Sequence, residues 1–465
     1  MRIKKILKQT APDFIISFWH YLQAWWGSVK YSHPSENLLV IGVTGTSGKS
    51  STIHFLRQAL EGLGYKVGSL STADFYIVGE QKLNDRKMTM LGRGENHKFL
   101  RKMKEENCDI AILETTSEGA LQHRHRFINY DFIIFTNLYR EHIEAHGGFQ
   151  NYKNCKLEIL EYVSKCKPKY WCKTGSGWEV TSFKKKNKEC NKIPKTCIVS
   201  ANNDHTLEGL EFDFDEKNIF AREDKKIYDY PQEVNNEVVS KENKTSKDGI
   251  SFEIGNTKFN PKVYGKHNIW NLLAAISVAK SLSASWSELK QIIDNVDPPP
   301  GRVEFIEQAE SHGFKVIVDY AFEPKALQEL YKVVDLFDTN NIIHVCGSAG
   351  GGRDTWRREE IGKIAGKKAD KVIVTNEDPY DEDPEQIISQ VAEGAKQTKL
   401  DQENLYQIKS REEAIEQAIK LAEENAIVLV TGKGSEQGIV EQGELIPWDD
   451  REVVREKITK IYESR

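Results

Sequence analysis

The 465-residue sequence predicts an α/β protein built on mostly parallel sheet, with a P-loop domain followed by a Rossmann-like domain. Three observations carry that expectation. The apolar run Leu38–Val43 leads into the Gly-rich turn Val43-Thr44-Gly45-Thr46-Ser47-Gly48-Lys49-Ser50-Ser51 and then a helical stretch over 50–63. Further apolar runs at 66–70, 109–114 and 131–136 alternate with helical segments, as in a doubly wound sheet. After the stiff and then flexible Pro298-Pro299-Pro300-Gly301, the alternation resumes with strands near 314–318, 341–346, 370–375, 404–408 and 426–431.

Taken in order, residues 1–37 read as an N-terminal amphipathic helix rich in aromatics. Thr10 can cap it, and Pro12 and Asp13 suit its first turn. Phe14, Ile15, Phe18, Trp19, Leu22, Trp25 and Trp26 follow at spacings of three and four, preceded by Arg2, Lys4, Lys5 and Lys8. Such a helix docks on the body of the protein or lies in a membrane interface, which makes residues 10–30 the candidate for peripheral membrane contact. Residues 38–298 read as the P-loop domain. Within it, 166–262 reads as irregular or antiparallel material, with Lys184, Lys185, Lys186, Lys188, Lys192 and Lys195 in a solvated loop and short strands over 249–260. A helix over 267–283 closes this part, and 299–465 form the second domain.

A net charge of −5 gives no case for nucleic acid. Seven cysteines with no C-x-x-C pair suggest reduced thiols, and Cys166, Cys172, Cys190 and Cys197 do not have zinc-site spacing. No apolar run reaches the ~18 residues of a membrane span, and no small-residue cleavage site precedes residue 38. The expected location is the cytoplasm, extending to the inner face of the membrane.

A strand, a Gly-rich turn and a helix opening on Lys-Ser form a phosphate-binding loop. In the loop Gly45-Thr46-Ser47-Gly48 the glycines let backbone N–H groups close around phosphate oxygens, aided by the helix dipole. Lys49 would neutralise the β- and γ-phosphates of ATP, and Ser50, next to Ser51, would hold Mg²⁺. Position 43 is Val, so the strict G-x4-G-K-[ST] spacing is not met. Asp109–Glu114 is an apolar strand ending in a carboxylate, where a second metal-binding acid is expected beside a P-loop. The next strand runs into Thr136-Asn137, with Arg140, Glu141, His142 and His146 following at the sheet edge where α/β proteins bind ligands.

These stretches, with Glu114-Thr115-Thr116-Ser117-Glu118-Gly119 and Tyr152-x-x-x-Lys156, resemble successive motifs of the Mur ligases, most closely the tripeptide-synthetase branch. Gly265-Lys266-His267-Asn268-x-x-Asn271, Gly301-Arg302-x-Glu304, Asp319-Tyr320-Ala321, Gly351-Gly352-Arg353-Asp354 and Gly432-Lys433-Gly434-x-Glu436 continue the series in family order. The resemblance implies an ATP-dependent ligase that phosphorylates a substrate carboxylate and lets an amine attack the acyl phosphate. By resemblance, Ser50 and Glu114 hold one Mg²⁺, and Glu114, His142 and a carbamylated Lys156 hold a second. Asn268 and Asn271 contact adenine, and Arg302 and Asp319 complete the ATP site. Thr89, Ser117 and Arg124 hold a nucleotide-sugar peptide, and Arg353 and Glu436 the incoming amino acid.

The sequence departs from the family pattern in three ways. Only 37 residues precede the P-loop strand, so the family's N-terminal UDP-binding domain is not expected, and the acceptor is nucleotide-linked or lipid-linked. In the run Asn376-Glu377-Asp378-Pro379-Tyr380-Asp381-Glu382-Asp383, Tyr380 stands where diaminopimelate-adding members carry Arg. Glu377 and Asp378 then favour an amino acid with a distal ammonium, lysine or ornithine, over diaminopimelate. Phe322 and Ser435 replace family histidines. Alternatives are a polyglutamate-type or amidating ligase, a switch-type P-loop NTPase, and an inactive binding protein. The last two have no use for Lys156.

Overall fold

The computed structural model describes residues 12–84, 88–92, 94–140, 147–174, 177–185, 188–339, 341–352 and 355–463. The chain divides into two compact units. The first comprises Met1–Lys244, Ser251–Pro261 and Lys266–Val296, and the second Thr245–Ile250, Lys262–Gly265 and Asp297–Arg465.

The first unit is built on an eleven-stranded sheet. Its strands are β1 (Leu39–Thr44), β2 (Val67–Leu70), β3 (Asp74–Ile77), β4 (Glu80–Leu83), β5 (Ile110–Glu114) and β6 (Phe132–Phe135). Omitting the small sheet β7 (Lys169–Thr174), β8 (Gly177–Thr181) and β9 (Cys190–Ile193), it continues with β10 (Thr196–Ser200), β11 (Glu216–Arg222), β12 (Asn236–Ser246), β13 (Gly249–Ile254) and β14 (Thr257–Phe259). The spatial order is β14-β13-β12-β11-β10-β6-β1-β5-β2-β3-β4. Every residue of β1, β5 and β6 is buried, as expected of apolar strands covered on both faces. Their parallel register pairs Val43 with Glu114 and Thr44 with Phe135. The carboxyl ends of three adjacent strands therefore finish level, and the residues that follow them meet.

The α/β expectation holds, and each run read as a parallel strand forms one. The reading of 166–262 is corrected in part. β10, β11 and β12 extend the sheet in parallel, with Thr196–Ser200 wholly buried between neighbours. In this unit antiparallel pairs join β2 to β3, β3 to β4 and β13 to β14 toward the sheet margins, and β7 to β8 and β9 in the small sheet. The lysine run is not uniformly solvated either. Lys185 and Lys188 pair with Glu179, whereas Lys195 is buried, its Nζ 2.8 Å from Asp131 Oδ1. Asp131 also holds Lys169 at 2.6 Å and accepts from the Val40 amide at 2.9 Å, so one buried carboxylate fixes two buried ammoniums at the foot of β1 and β6. The expectation of reduced thiols fails at Cys172 and Cys190, which form a disulfide. The β7–β9 register places them directly opposite each other across 18 residues of sequence, which composition could not reveal.

The N-terminal helix α1 (Asp13–Lys30) docks on its own unit through its small and polar residues. Ala24, Gly27 and Ser28 are buried. Ser17 Oγ meets His123 Nε2 at 2.8 Å, and Ser28 Oγ meets His33 Nδ1 at 2.8 Å. A Cβ on Gly27 would lie 2.5 Å from Gly94 Cα, so glycine is what lets this face approach. Tyr21 joins this docked side, edge-on to His123 and Phe127, whereas Phe14, Phe18, Trp19, Trp25 and Trp26 are exposed. Among the described residues, no helix is long and apolar enough to cross a membrane. Thr10, the expected cap, lies outside the described residues.

The second unit carries a six-stranded sheet of β15 (Glu304–Phe305), β16 (Lys315–Asp319), β17 (Ile342–Cys346), β18 (Lys371–Val374), β19 (Leu405–Gln407) and β20 (Ile427–Thr431). Its order is β15-β16-β20-β17-β18-β19, parallel except for β15. Asp319 pairs with Thr431 and Cys346 with Val374, again bringing the carboxyl ends of four strands level. A short ribbon of β21 (Gly438–Glu441) and β22 (Glu444–Pro447) follows.

Candidate active site

The first unit's site grows from the turn between β1 and helix α2 (Lys49–Gly62). Gly48 is the N-cap at φ +77°, and no side chain caps this helix. The first-turn N–H groups are thus left for an external acceptor, the arrangement that binds phosphate. The turn itself is braced. Thr46 N–H donates to Asn137 O at 3.0 Å, Ser47 N–H to Asn137 Oδ1 at 3.0 Å, and Thr136 Oγ1 to Ser47 O at 2.9 Å. A Cβ on Gly45 would stand 2.0 Å from Thr136 Oγ1, so only glycine fits there. Lys49 Nζ donates to Gly45 O at 3.2 Å and Thr46 O at 3.1 Å.

Ser50 Oγ donates to Glu114 Oε2 at 2.8 Å, and Lys49 Nζ stands 3.9 Å from Glu114 Oε1. Glu114 Oε2 also accepts from Thr72 N–H at 2.8 Å, and Thr72 Oγ1 donates to Thr89 Oγ1 at 2.9 Å. Lys156, on helix α5 (Phe149–Ser164, following α3 at Glu95–Glu105 and α4 at Ser117–Leu121), is buried. Its Nζ donates to Gly45 O at 2.8 Å and lies 4.8 Å from the Tyr152 ring, whose hydroxyl donates to Thr46 Oγ1 at 3.1 Å. Asn268 and Asn271 open the buried helix Asn268–Ser281, bonded to each other at 2.8 Å. Thr52 Oγ1 donates to Asn271 Oδ1 at 3.2 Å, and a Cβ on Gly48 would come within 2.5 Å of that oxygen.

Ser117 is the first residue of α4, whose Thr116 cap accepts from Gly119 N–H at 3.1 Å. Arg124 donates to Met90 O and, at 2.6 Å, to Gln122 Oε1, and burial holds its pKa below the usual guanidinium value. Ser50, Glu114 and Thr89 are thus linked by a short polar chain through Thr72, and Arg124 is tied to Met90 next to Thr89.

In the second unit, buried Asp319 accepts from Val303 N–H at 2.6 Å and Ala321 N–H at 2.8 Å. Burial nevertheless pushes its pKa up, against the pull of Arg302, whose guanidinium lies 4.3 Å over the Tyr320 ring. Lys433 is fully buried. Its Nζ donates to Asp378 Oδ2 at 2.9 Å and Glu436 Oε2 at 2.5 Å, and Tyr320 hydroxyl donates to Glu436 Oε1 at 2.9 Å. Beside them, the buried Glu377 Oε2 has no hydrogen-bond partner among the described residues. Burial pushes the Glu377 carboxyl up to about 7, although Lys433 and Arg411 draw it down. Gly432, at φ +109°, leaves it room, since a Cβ there would be 2.6 Å from Glu377 Oε2. Glu382 is committed elsewhere, to Arg358 at 2.8 Å and Gly352 N–H at 3.0 Å.

Family models match both units. The Mur ligase middle domain covers residues 43–279, and the Mur ligase, glutamate ligase domain covers 301–434. The chain belongs to the Mur ligase family. It is a carbon–nitrogen ligase of an ATP-dependent family. Similar curated proteins include the UDP-N-acetylmuramoyl-L-alanyl-D-glutamate–2,6-diaminopimelate ligase of Clostridium botulinum, 30% identical over 93% of this chain and 80% of that protein. The UDP-N-acetylmuramyl-tripeptide synthetase of Borreliella burgdorferi is 31% identical over 94% of this chain and 80% of its own length. Among solved structures, a UDP-N-acetylmuramoyl-L-alanyl-D-glutamate–2,6-diaminopimelate ligase aligns with TM-score 0.59 and 22% identity, covering 91% and 78% of the two chains. Mycobacterium tuberculosis folylpolyglutamate synthase aligns with TM-score 0.63 and 13% identity over 93% and 95%. These last two show the shared fold.

In this Mur ligase the oxygen donors fit a hard divalent cation. The Ser50 hydroxyl and Glu114 carboxylate stand within hydrogen-bond distance at the mouth of the phosphate loop. Among the described residues no cluster of three or more His, Cys, Asp or Glu forms a metal cage. Mg²⁺ suits such a sparse set, because it keeps waters and shares substrate phosphates. His142 and Arg353 lie outside the described residues. Sequence reading did not single out Thr72, which joins Glu114 to Thr89, because a threonine in a loop carries no pattern. Asn137, Tyr152 and Lys433 were visible within motifs, but their bracing roles needed the folded register.

Proposed function

We propose that this Mur ligase adds the third amino acid to a UDP-N-acetylmuramoyl-dipeptide-like peptidoglycan precursor, through an acyl phosphate. The observation that carries the reading is the uncapped P-loop helix with Ser50 bonded to Glu114 and Lys156 buried against Gly45. Residues 38–298 form the ATP-binding domain and 299–465 the amino-acid-binding domain. Lys49 and the first-turn N–H groups hold the β- and γ-phosphates, with Gly45, Thr46, Ser47, Gly48, Ser50 and Ser51 as the cradle. Ser50, Glu114, His142 and Lys156 would hold Mg²⁺, which would supply positive charge beside the phosphates. Asn268 and Asn271 set the adenine side, and Arg302 and Asp319 complete nucleotide binding. Thr89, Ser117 and Arg124 hold the acceptor, nucleotide-linked or lipid-linked. The reaction belongs in the cytoplasm, at the inner face of the membrane for a lipid-linked acceptor.

Arg353 and Glu436 hold the incoming amino acid. Asp378 is already neutralised by Lys433, so Glu377 is the acid left to meet a distal ammonium. Lysine or ornithine supplies that charge, whereas diaminopimelate brings a carboxylate with no Arg at position 380 to receive it.

The test is phosphate release from ATP and Mg²⁺ with UDP-N-acetylmuramoyl-L-alanyl-D-glutamate and one amino acid at a time. Release requiring both the acceptor and lysine or ornithine is expected. Release with diaminopimelate instead would sink the selectivity argument, and amino-acid-independent release would sink the ligase. Glu377→Gln adds a second check. A carboxyl held protonated by burial contributes its stability below its ordinary pKa of 4.5 and loses it as pH rises toward about 7. Glu377→Gln should therefore raise stability by roughly 1–3 kcal/mol at pH 8 but not at pH 4.5, while raising KM for the diamino acid about tenfold. Unchanged stability and KM would remove Glu377 from the site.

A further inference from the structure

Helix α1 is amphipathic but docked the reverse of the usual way. Its inward arc consists of Ser17, Ala24, Gly27 and Ser28, packed on Gly94, His97, His123 and His33. Its outward arc carries Phe14, Phe18, Trp19, Trp25, Trp26 and Val29, with Phe14 71%, Phe18 61% and Trp19 and Trp26 each 59% exposed. At 100° per residue these side chains share one side of the helix, and Lys30 closes it. An apolar stripe on a surface helix ordinarily faces the core. Here the docking contacts are already made by the opposite face, so the aromatic arc is left over for something outside the unit.

Charge indicates what that is. From Phe14 to Ser35 there is no Asp or Glu, while Arg2, Lys4, Lys5 and Lys8 precede the helix and Lys30 ends it. The chain as a whole carries −5, whereas residues 1–35 hold five Lys or Arg against the single acid Asp13. A second copy of the chain would bring the same basic segment against itself. An anionic bilayer supplies the complementary charge and an interface in which Trp and Phe rings rest.

We infer that the outward face of α1 seats this protein on anionic lipid, with the helix lying in the plane of the bilayer surface while its inward face holds the catalytic unit. The contact is reversible in salt, because the basic residues supply much of the attraction. It does not depend on the ligase reading, since no residue of α1 belongs to the nucleotide or acceptor machinery.

The test is sedimentation of the full chain with vesicles of phosphatidylcholine alone or in equimolar mixture with phosphatidylglycerol. Binding to the anionic vesicles is expected to exceed binding to neutral ones at least tenfold and to weaken in high salt. Brominated lipid should quench tryptophan fluorescence in the wild-type protein. F18S/W19S/W26S should lose binding and quenching while keeping its melting temperature and its phosphate release on soluble substrates. Should the triple variant misfold, quenching of the wild type still decides. No binding to anionic vesicles would overturn the inference, as would binding without quenching. So would self-association that the triple variant abolishes, which would make a second copy the occupant. Phosphate release on the same preparation separates the two readings. Activity without vesicle binding defeats only this one, and vesicle binding without activity defeats only the ligase assignment.

Discussion

Lys156→Ala is expected to lower acceptor- and amino-acid-dependent phosphate release by roughly a thousandfold or more, the scale on which charge-neutralising groups act in phosphoryl transfer. Lys156 is a buried lysine whose ammonium meets a carbonyl, Gly45 O, and a ring face. Two roles are compatible with that placement. As a brace, its cation would only hold the phosphate loop in shape. As a carbamate, it would present oxygen donors at the phosphate loop, which suit Mg²⁺ better than a cation does. Lys156→Arg separates them, because it keeps a cationic donor but cannot form the carbamate. Recovery of activity in Lys156→Arg would establish the brace. Loss in both variants, with partial rescue of Lys156→Ala by added acetate or formate, is the expected result. A switch-type NTPase would keep most of its turnover in either variant.

Asp131→Ala should produce the largest loss of stability of any single change in the first unit. It removes the carboxylate that holds Lys169 at 2.6 Å and Lys195 at 2.8 Å, leaving two buried ammoniums with carbonyl acceptors such as Leu38 O and Tyr130 O but no counter-charge, and the Val40 amide without its acceptor. Breaking a buried ion pair on one side costs about 3–5 kcal/mol. For a unit of this size that corresponds to a fall of about 10 °C in Tm. Burial already presses the Lys169 pKa down and Asp131 draws it back up, so the variant should push it further down. Replacing all three residues by Leu or Met should restore most of the loss. An Asp131→Ala protein that melts within 2 °C of wild type, an on-the-order-of 1 kcal/mol effect, would show that water reaches the pair.

What the sequence made legible follows physical range. β1, β5 and β6 were readable because doubly covered parallel strands are apolar throughout, and their ends carry the Gly-Lys-Ser turn, Glu114 and Thr136. The same logic located β16, β17, β18 and β20. Strands β11 and β12 were harder, since Glu216 and Lys217 open one and Asn236 and Glu237 the other, interrupting the apolar pattern. Lys195 reads as one of a solvated lysine run, and nothing singles out Lys169 or Asp131, because sequence records each ion and not its partner, 38 and 64 residues away. The orientation of α1 was equally hidden. Periodicity defines two faces, but only contacts such as Gly27 on Gly94 decide which is turned inward.

The hydrogen bond from Thr52 to Asn271 spans 219 residues, and the same Asn271 oxygen faces Gly48 of the phosphate loop. A ribosome adding about 5–20 residues per second needs some 10–40 s to cover that stretch. During that interval the emerging chain already contains the complete Gly-Lys-Ser turn, without the amide that backs it. On the nucleotide site proposed above, tight binding is therefore a late event in the life of each molecule, and retention on immobilised ATP would sort finished chains from those released early.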